Sequence, residues 1–299
     1  MQWATLTAYI TSMSLNARIA KFYNRSTQLW LDTWGEQMHH GYYGADGQQQ
    51  VGHRQAQIDM IEALIQWGAP GLNQRNTPLR ILDAGCGVGG SSRYLVHKYP
   101  GSSALGVTLS QVQAQEGSAF NEKSGLADQI EIIAKDVYLV TPEQDGQFDL
   151  IWSMESAEHM ANKEGLFQNF KHLLNPGGTL LMATWCHRPT PPELASKEQQ
   201  TLAQIQNLYH LPPLVSIPQL AMAAEAAGLQ NIQSDDWSQA VFPFWGAVIK
   251  SGLDPRNWPG LIRSGVGTIK GAWAMRYMQR GFKMGSIRYG VLRAEKGEA

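Results

Sequence analysis

Three ionisable residues stand within five positions, Glu155, Glu158 and His159, in the run Trp152-Ser153-Met154-Glu155-Ser156-Ala157-Glu158-His159-Met160. An apolar strand pattern, Phe148–Ser153, ends among them. Carboxylates and an imidazole grouped this way suit proton transfer, because His or Glu in a low-dielectric pocket can take a proton from a hydroxyl. His159 is the preferred general base, with a backbone-bonded role as its competitor. Glu155 is placed to touch either the charged end of a ligand or the acceptor. His187 follows a later strand pattern. His39-His40 with His159 matches no helical or zinc-finger ligand spacing and has no cysteine beside it, so no metal centre is expected.

A second chemical signal is the run Leu82-Asp83-Ala84-Gly85-Cys86-Gly87-Val88-Gly89-Gly90-Ser91-Ser92-Arg93. An apolar strand reaches an acid, then a glycine-dense turn, then a helix start. Such a turn lets backbone approach a small charged molecule, with helix N–H groups aimed at it. Gly85-x-Gly87-x-x-Gly90 matches the dinucleotide fingerprint literally. That reading also needs an acid at the end of the next strand, for the ribose hydroxyls. The next strand is Leu105-Gly106-Val107-Thr108-Leu109-Ser110, with none.

S-adenosylmethionine fits better. Asp83 can orient the loop and the ligand's amino group, and Gly85 and Gly87 leave room for its amino-acid part. Asp136, after the third strand, can accept from the adenine amino group, although a turn-capping role is an equal alternative. Asp149 starts the fourth strand and Asn175-Pro176-Gly177-Gly178 makes the turn into the fifth. Cys86, Gly89, Val137 and Ser153 complete the expected cofactor site. His40 and Tyr42 either close over the cofactor or pack as a core aromatic loop.

The elements that position these residues alternate. Strands are predicted over 79–84, 104–108, 130–134, 148–153 and 179–184, with helices over 91–99, 111–123 and 166–174 between them. Helices over 15–32 and 54–67 come first. That order predicts an α/β, Rossmann-like, doubly wound parallel sheet. Helices over 193–209 and 216–227 follow, then a strand over 229–236, a helical stretch over 243–285 and a strand over 287–292. The whole chain reads as one domain. Its core is about 54–187, 216–237 and 285–294, and its lid is 1–50, 188–215 and 238–284, over the sheet's C-terminal edge.

The 299 residues are 43% apolar and 16% charged, enough for a packed core. A net charge of −1 gives no reason to expect nucleic acid. The charge is uneven: residues 241–299 hold ten Lys/Arg against three Asp/Glu, with Trp245, Trp258 and Trp273 among them. A basic aromatic surface suits an amphipathic substrate or peripheral membrane contact, and an ordinary solvated helical cap suits it as well. Two cysteines make no disulfide framework. No apolar run reaches about 18 residues, so no transmembrane helix is expected. Met1–Ser12 reads as a disordered end or the remnant of a transit peptide rather than a secretory signal.

The chain resembles class I S-adenosylmethionine-dependent methyltransferases, and more narrowly the gamma-tocopherol C-methyltransferase family. The resemblance rests on Trp34–Gly44, Cys86–Leu95, Gly106–Gln115, Trp152–Met160, Thr184–Arg188 and Asp235–Trp245, spread over nearly the whole chain. Ala157 and Ala161 depart from the Gly and Pro expected there. The resemblance implies methylation of gamma- and delta-tocopherol, with Thr108, Leu109 and Gln113 serving the cofactor's ribose. It places His40, Met154, Glu158, Trp185, His187, Phe244 and Trp245 around a small amphipathic aromatic substrate. It implies a plastid location in a plant or alga, and a cytoplasmic one otherwise. Related plant enzymes methylate nitrogen of indole alkaloids, which keeps that alternative open. A nicotinamide-dependent oxidoreductase is the alternative from a different class.

Overall fold

Successive strand side chains point to opposite faces, and here both faces of the central strands are apolar. Ile81, Leu150, Leu181 and Val291 are buried on one face, with Met60, Ile61, Leu64 and Ile65 of the second helix. Leu82, Ile151, Met182 and Leu292 are buried on the other, with Leu166, Phe167, Phe170 and Leu173. Each fully buried side chain of this size stabilises the fold by about 1.5–3 kcal/mol.

The computed structural model describes residues 14–75, 77–252 and 266–298. Seven strands form one sheet: β1 (Arg80–Ala84), β2 (Ser103–Thr108), β3 (Ile130–Ala134), β4 (Phe148–Met154), β5 (Leu174–His187), β6 (Gln230–Asp236) and β7 (Ile287–Glu295). Their order is β3-β2-β1-β4-β5-β7-β6. The helices are α1 (Leu15–Trp34), α2 (His53–Gly68), α3 (Gly90–Lys98), α4 (Gln111–Lys123), α5 (Pro142–Asp145), α6 (Lys163–Leu173), α7 (Ser196–Tyr209), α8 (Ile217–Ala226), α9 (Ser238–Val241), α10 (Phe244–Gly252) and α11 (Val266–Met284). The Rossmann-like doubly wound expectation holds for β1–β5, which are parallel. β7 is antiparallel to both β5 and β6, so the sheet is mixed rather than parallel throughout, while the Rossmann-like class I methyltransferase fold is the one expected. The reason is the point of entry. Ile287 pairs with His187 at the C-terminal end of β5, so a chain arriving at that edge can only run back down the sheet.

Two further expectations change. Asn175–Gly178 is not a separate turn but the irregular start of β5, because the register jumps between Phe148 and Leu150. The helical stretch predicted over 243–285 contains α10 and α11. Asp254, Arg256, Trp258 and Arg263 of the basic region, and Met1–Ser12, lie outside the described residues, as do the side chains of Lys250, Lys270 and Trp273. No helix among the described residues is long and apolar enough to cross a membrane.

The glycine loop after β1 meets Ser156 after β4. A Cβ on Gly85, whose φ is +85°, would lie 2.2 Å from the Ser156 Cβ. Gly71 sits in a surface turn with nothing within 4 Å of its Cβ position. In thermal and urea unfolding, Gly85→Ala is expected to cost about 2 kcal/mol or more and Gly71→Ala no more than about 0.5 kcal/mol. Equal stability of the two variants would contradict the close approach.

Candidate active site

β1 and β4 end side by side, since Asp83 pairs with Trp152, so the loops after them share one edge. The glycine loop turns through left-handed residues at Gly85, Gly87 and Gly89. The Gly85 and Cys86 N–H groups both donate to Val107 O at 2.9 Å, which ties the loop to β2. Asp83 is buried, and its Oδ2 accepts from Ser92 Oγ at 2.6 Å. Burial raises its pKa to about 6, against the opposing pull of the Ser92 bonds.

A cavity of about 270 Å³ opens from this loop. Asp83, Gly85, Cys86, Gly87, Thr108, Leu109, Gln113, Asp136 and Val137 line it. Thr108 Oγ1 donates to Gln113 Oε1 at 2.7 Å. Asp136 accepts from Tyr138 N–H at 3.1 Å and from Asn16 Nδ2 at 2.5 Å. Gly85 and Gly90 are packed against Ser156 and Glu36, whereas a side chain on Gly87 would point into open space beside Met38 and Gln113 on the cavity wall, room that suits the amino-acid end of a cofactor. Three expected cofactor residues stand away from the lining. Gly89 starts α3 against Ile132. Ser153 Oγ is bonded to Ser156 Oγ at 3.0 Å. Tyr42 packs on Trp237, ring centroids 5.2 Å apart, which answers to the core-packing alternative.

The far end of the cavity is built around Glu155. Its φ of +49° is a left-handed conformation uncommon outside glycine. Its carboxylate accepts from His40 N at 2.5 Å, His40 Nδ1 at 2.8 Å, Tyr289 OH at 2.8 Å and Trp185 Nε1 at 3.1 Å. Burial works to raise its pKa, but the charge and hydrogen bonds of His40, with His39, outweigh it and hold the group below the usual carboxylate range. Glu155 borders the cavity, yet its oxygens are already engaged by four donors.

This bonding corrects the substrate-pocket expectation for His40, Phe244 and Trp245. All three are fully buried behind Glu155, the His40 ring lying 4.8 Å from Phe244 and 5.0 Å from Trp245. His187 is also off the lining, where its Nδ1 donates to Arg188 O at 2.6 Å. Met154, Glu158, His159 and Trp185 do line the cavity.

Glu158 and His159 lie in a 3-10 turn, Ala157–His159. Glu158 Oε2 accepts from Thr184 Oγ1 at 2.7 Å. Burial, then the negative charge of Glu155, raises the Glu158 pKa to about 8, which Thr184 and Lys163 only partly oppose. His159 Nε2 is bonded to Tyr23 OH at 2.9 Å. Burial, then Lys163, lowers its pKa to about 3.

The sequence reading missed the residues that α1 and α7 bring. Asn16, Ile19, Tyr23, Trp30 and Trp34 of α1 and Tyr209 of α7 line the cavity. Asn24 Oδ1 accepts from Ser110 Oγ at 2.6 Å, so α1 is bonded to the loops after β2, β3 and β4 through Asn24, Asn16 and Tyr23. The signal available was the aromatic content of the helix predicted over 15–32. Among the described residues no cluster of His, Cys, Asp and Glu is placed to hold a metal ion.

Unfolding in urea tests the Glu155 centre. Tyr289→Phe removes one donor at constant shape and is expected to cost about 1–2 kcal/mol. Glu155→Ala leaves four buried donors without their acceptor and is expected to cost about 3–5 kcal/mol. A Glu155→Ala protein as stable as the parent would refute this reading.

Comparison with known proteins places this geometry. Residues 54–234 match a methyltransferase domain family. The chain is 41% identical over 288 residues to a probable tocopherol O-methyltransferase, chloroplastic, from Oryza sativa subsp. japonica, covering 95% of this chain and 79% of that protein. It is 38% identical over 300 residues to the chloroplastic tocopherol O-methyltransferase of Arabidopsis thaliana, covering 98% and 86%. The fold superposes on geranyl diphosphate C-methyltransferase from Streptomyces coelicolor A3(2) with a TM-score of 0.73 at 21% identity, covering 95% and 99%. The chain therefore belongs to the methyltransferase family, on the branch that includes the tocopherol methyltransferases.

Proposed function

We propose that this protein transfers a methyl group from S-adenosylmethionine to the chromanol ring of gamma- and delta-tocopherol, forming alpha- and beta-tocopherol. The observation that carries the proposal is the continuity of the cavity. The cavity runs from the Gly85–Gly90 cradle to an aromatic, hydrogen-bonding end at Tyr23, Glu158, His159, Trp185 and Tyr209. The identity to tocopherol methyltransferases over nearly the whole chain supports the same acceptor class.

Bound in that cradle, the cofactor supplies a methyl group on a positively charged sulfur, already activated for displacement. The chain's own contribution is alignment, exclusion of water and handling of a proton. Asp83, Thr108, Gln113 and Asp136 are set to hold the donor's polar ends. Ile19, Trp30, Trp34 and Met154 enclose the apolar part. A methyl acceptor on the ring needs its hydroxyl deprotonated, because a phenolate donates electron density to ring carbon.

Transfer to oxygen is the second reading, favoured by the names of the two plant relatives. Both readings need a phenolic acceptor. An indole-alkaloid nitrogen is less well supported by those relatives, and the missing acid after β2 weighs against a nicotinamide. A plastid location follows for a plant or alga, from the chloroplastic relatives. Peripheral membrane contact through the basic C-terminal region suits so lipophilic an acceptor.

Incubation of the pure protein with labelled S-adenosylmethionine and gamma-tocopherol in detergent micelles tests the proposal. The expected product is heavier by one methylene and keeps an oxidisable phenol. Loss of the phenol would establish O-methylation instead, and absence of labelled tocopherol at micromolar enzyme would refute both. S-adenosylhomocysteine is expected to raise the melting temperature, and NAD is not.

A further inference from the structure

Three proton-accepting side chains follow β4, and their surroundings leave them unequal. Glu155 has its carboxylate engaged by His40, Trp185 and Tyr289. His159 has one ring nitrogen paired with Tyr23 OH, and its low proton affinity makes it a weak base. Glu158 lines the cavity; among the described residues the one side-chain donor to its carboxyl is Thr184, on Oε2, and its own backbone N–H adds a weaker pull toward the ionised form. Lys163, the nearest cation, spends its ammonium on Ala157 O at 2.6 Å and on Met160 O, so it does not cap the Glu158 carboxyl.

We infer that Glu158, through the carboxyl oxygen that Thr184 leaves free, takes the proton of the acceptor's hydroxyl. The inference rests on the phenolic acceptor proposed above and assigns the general base to a residue other than His159. The raised proton affinity of Glu158 narrows the gap to a phenol of pKa about 10, where proton transfer to an ordinary carboxylate would be strongly uphill.

The Glu158 carboxylate takes the hydroxyl proton, and the O–H electron pair moves onto the ring. The ring carbon forms a bond to the methyl carbon as the methyl carbon–sulfur bond breaks, its electron pair staying on sulfur. The methylated ring then loses the proton of that carbon and regains one on oxygen. Glu158 releases its proton to solvent, so each turnover liberates one proton.

The groups facing Glu158 set its response to pH: Glu155 on the same loop, Lys163 on α6, Tyr23 on α1, Cys186 on β5 and Tyr289 on β7. A base of raised pKa is idle while protonated. Wild-type kcat is therefore expected to climb with pH and level off above about 8.

The test compares wild type, Glu158→Gln and Glu158→Asp with gamma-tocopherol across pH 6–10, with S-adenosylhomocysteine affinity measured by calorimetry. Glu158→Gln is expected to lower kcat about 10²–10³-fold, to lose the rise with pH, and to leave S-adenosylhomocysteine affinity within about twofold. Glu158→Asp is expected to keep part of the rate and the rise. A Glu158→Gln enzyme that retains the wild-type rate or its rise with pH overturns the inference. So does a rate loss matched by an equal loss of affinity. If Glu158→Gln does not fold, Thr184→Val serves: it removes a bond that favours the ionised form, so the rise should move to higher pH, and an unmoved rise overturns the inference. If the wild type leaves gamma-tocopherol unmethylated, the acceptor reading fails by itself, and the same comparison runs on whichever phenol of a panel it does methylate. Methylation of no phenol overturns both.

Discussion

The structure turns on one buried carboxylate. Glu155 leaves the end of β4 in a left-handed conformation, which costs of order 1–3 kcal/mol and persists only where the surroundings over-determine it. Here they do. Its oxygens gather donors from the N-terminal loop through His40, from β5 through Trp185 and from β7 through Tyr289. A buried charge of this kind is tolerable only when paired and fully hydrogen-bonded. Meeting that demand fixes three distant parts of the chain relative to one another. His40 then pins the segment that crosses the glycine loop, where Glu36 pairs with Arg93 of α3 at 2.7 Å.

That constraint also sorts the chemistry of the loop. Two carboxylates three residues apart cannot both ionise cheaply when buried. Glu155 wins the charge because it has the donors. Glu158 is left with one hydroxyl donor, a negative neighbour and a desolvated position, and so holds its proton to about pH 8. Environments that push the pKa values of neighbouring groups apart are how one loop supplies both an anchor and a base. His159, which the residue types alone favoured as the base, is taken up by Tyr23 and serves to seat α1.

The parts of the site that the sequence made legible are those that local spacing determines. Asp83 stands in the last two residues of β1, and Gly85, Gly87 and Asp136 follow β1 or β3 within a few residues, so naming the strands places them at one sheet edge. The parallel order of β1–β5 was readable from the β-α alternation. The reversal of β7 was not, because nothing in Ile287–Leu292 records which edge the chain enters from. The acceptor end was hardly legible. Glu155 and His40 are 115 residues apart, and Tyr23 and His159 are 136 apart. The aromatic residues expected around the substrate were read by type, and type does not tell a lining ring from a core ring. Phe244 and Trp245 went to the core around His40, while Trp30, Trp34 and Tyr209 took the lining.

The division of labour between the sheet and α1 follows from the same geometry. The strand-end loops form the proposed cofactor end of the cavity, and the fold that carries them is shared, at 21% identity, with a methyltransferase named for geranyl diphosphate. A framework common to such different acceptors cannot by itself choose between them. The choice must lie in what closes the cavity. In this chain that is α1, bonded through Asn16, Tyr23 and Asn24 to three strand-end loops, together with Tyr209 at the end of α7. Each of those bonds joins α1 to a loop that also lines the cavity or carries the proposed base. The helix that shapes the acceptor end therefore cannot move without disturbing the donor end. On the proposed function, acceptor fit and methyl alignment then depend on the same α1 contacts.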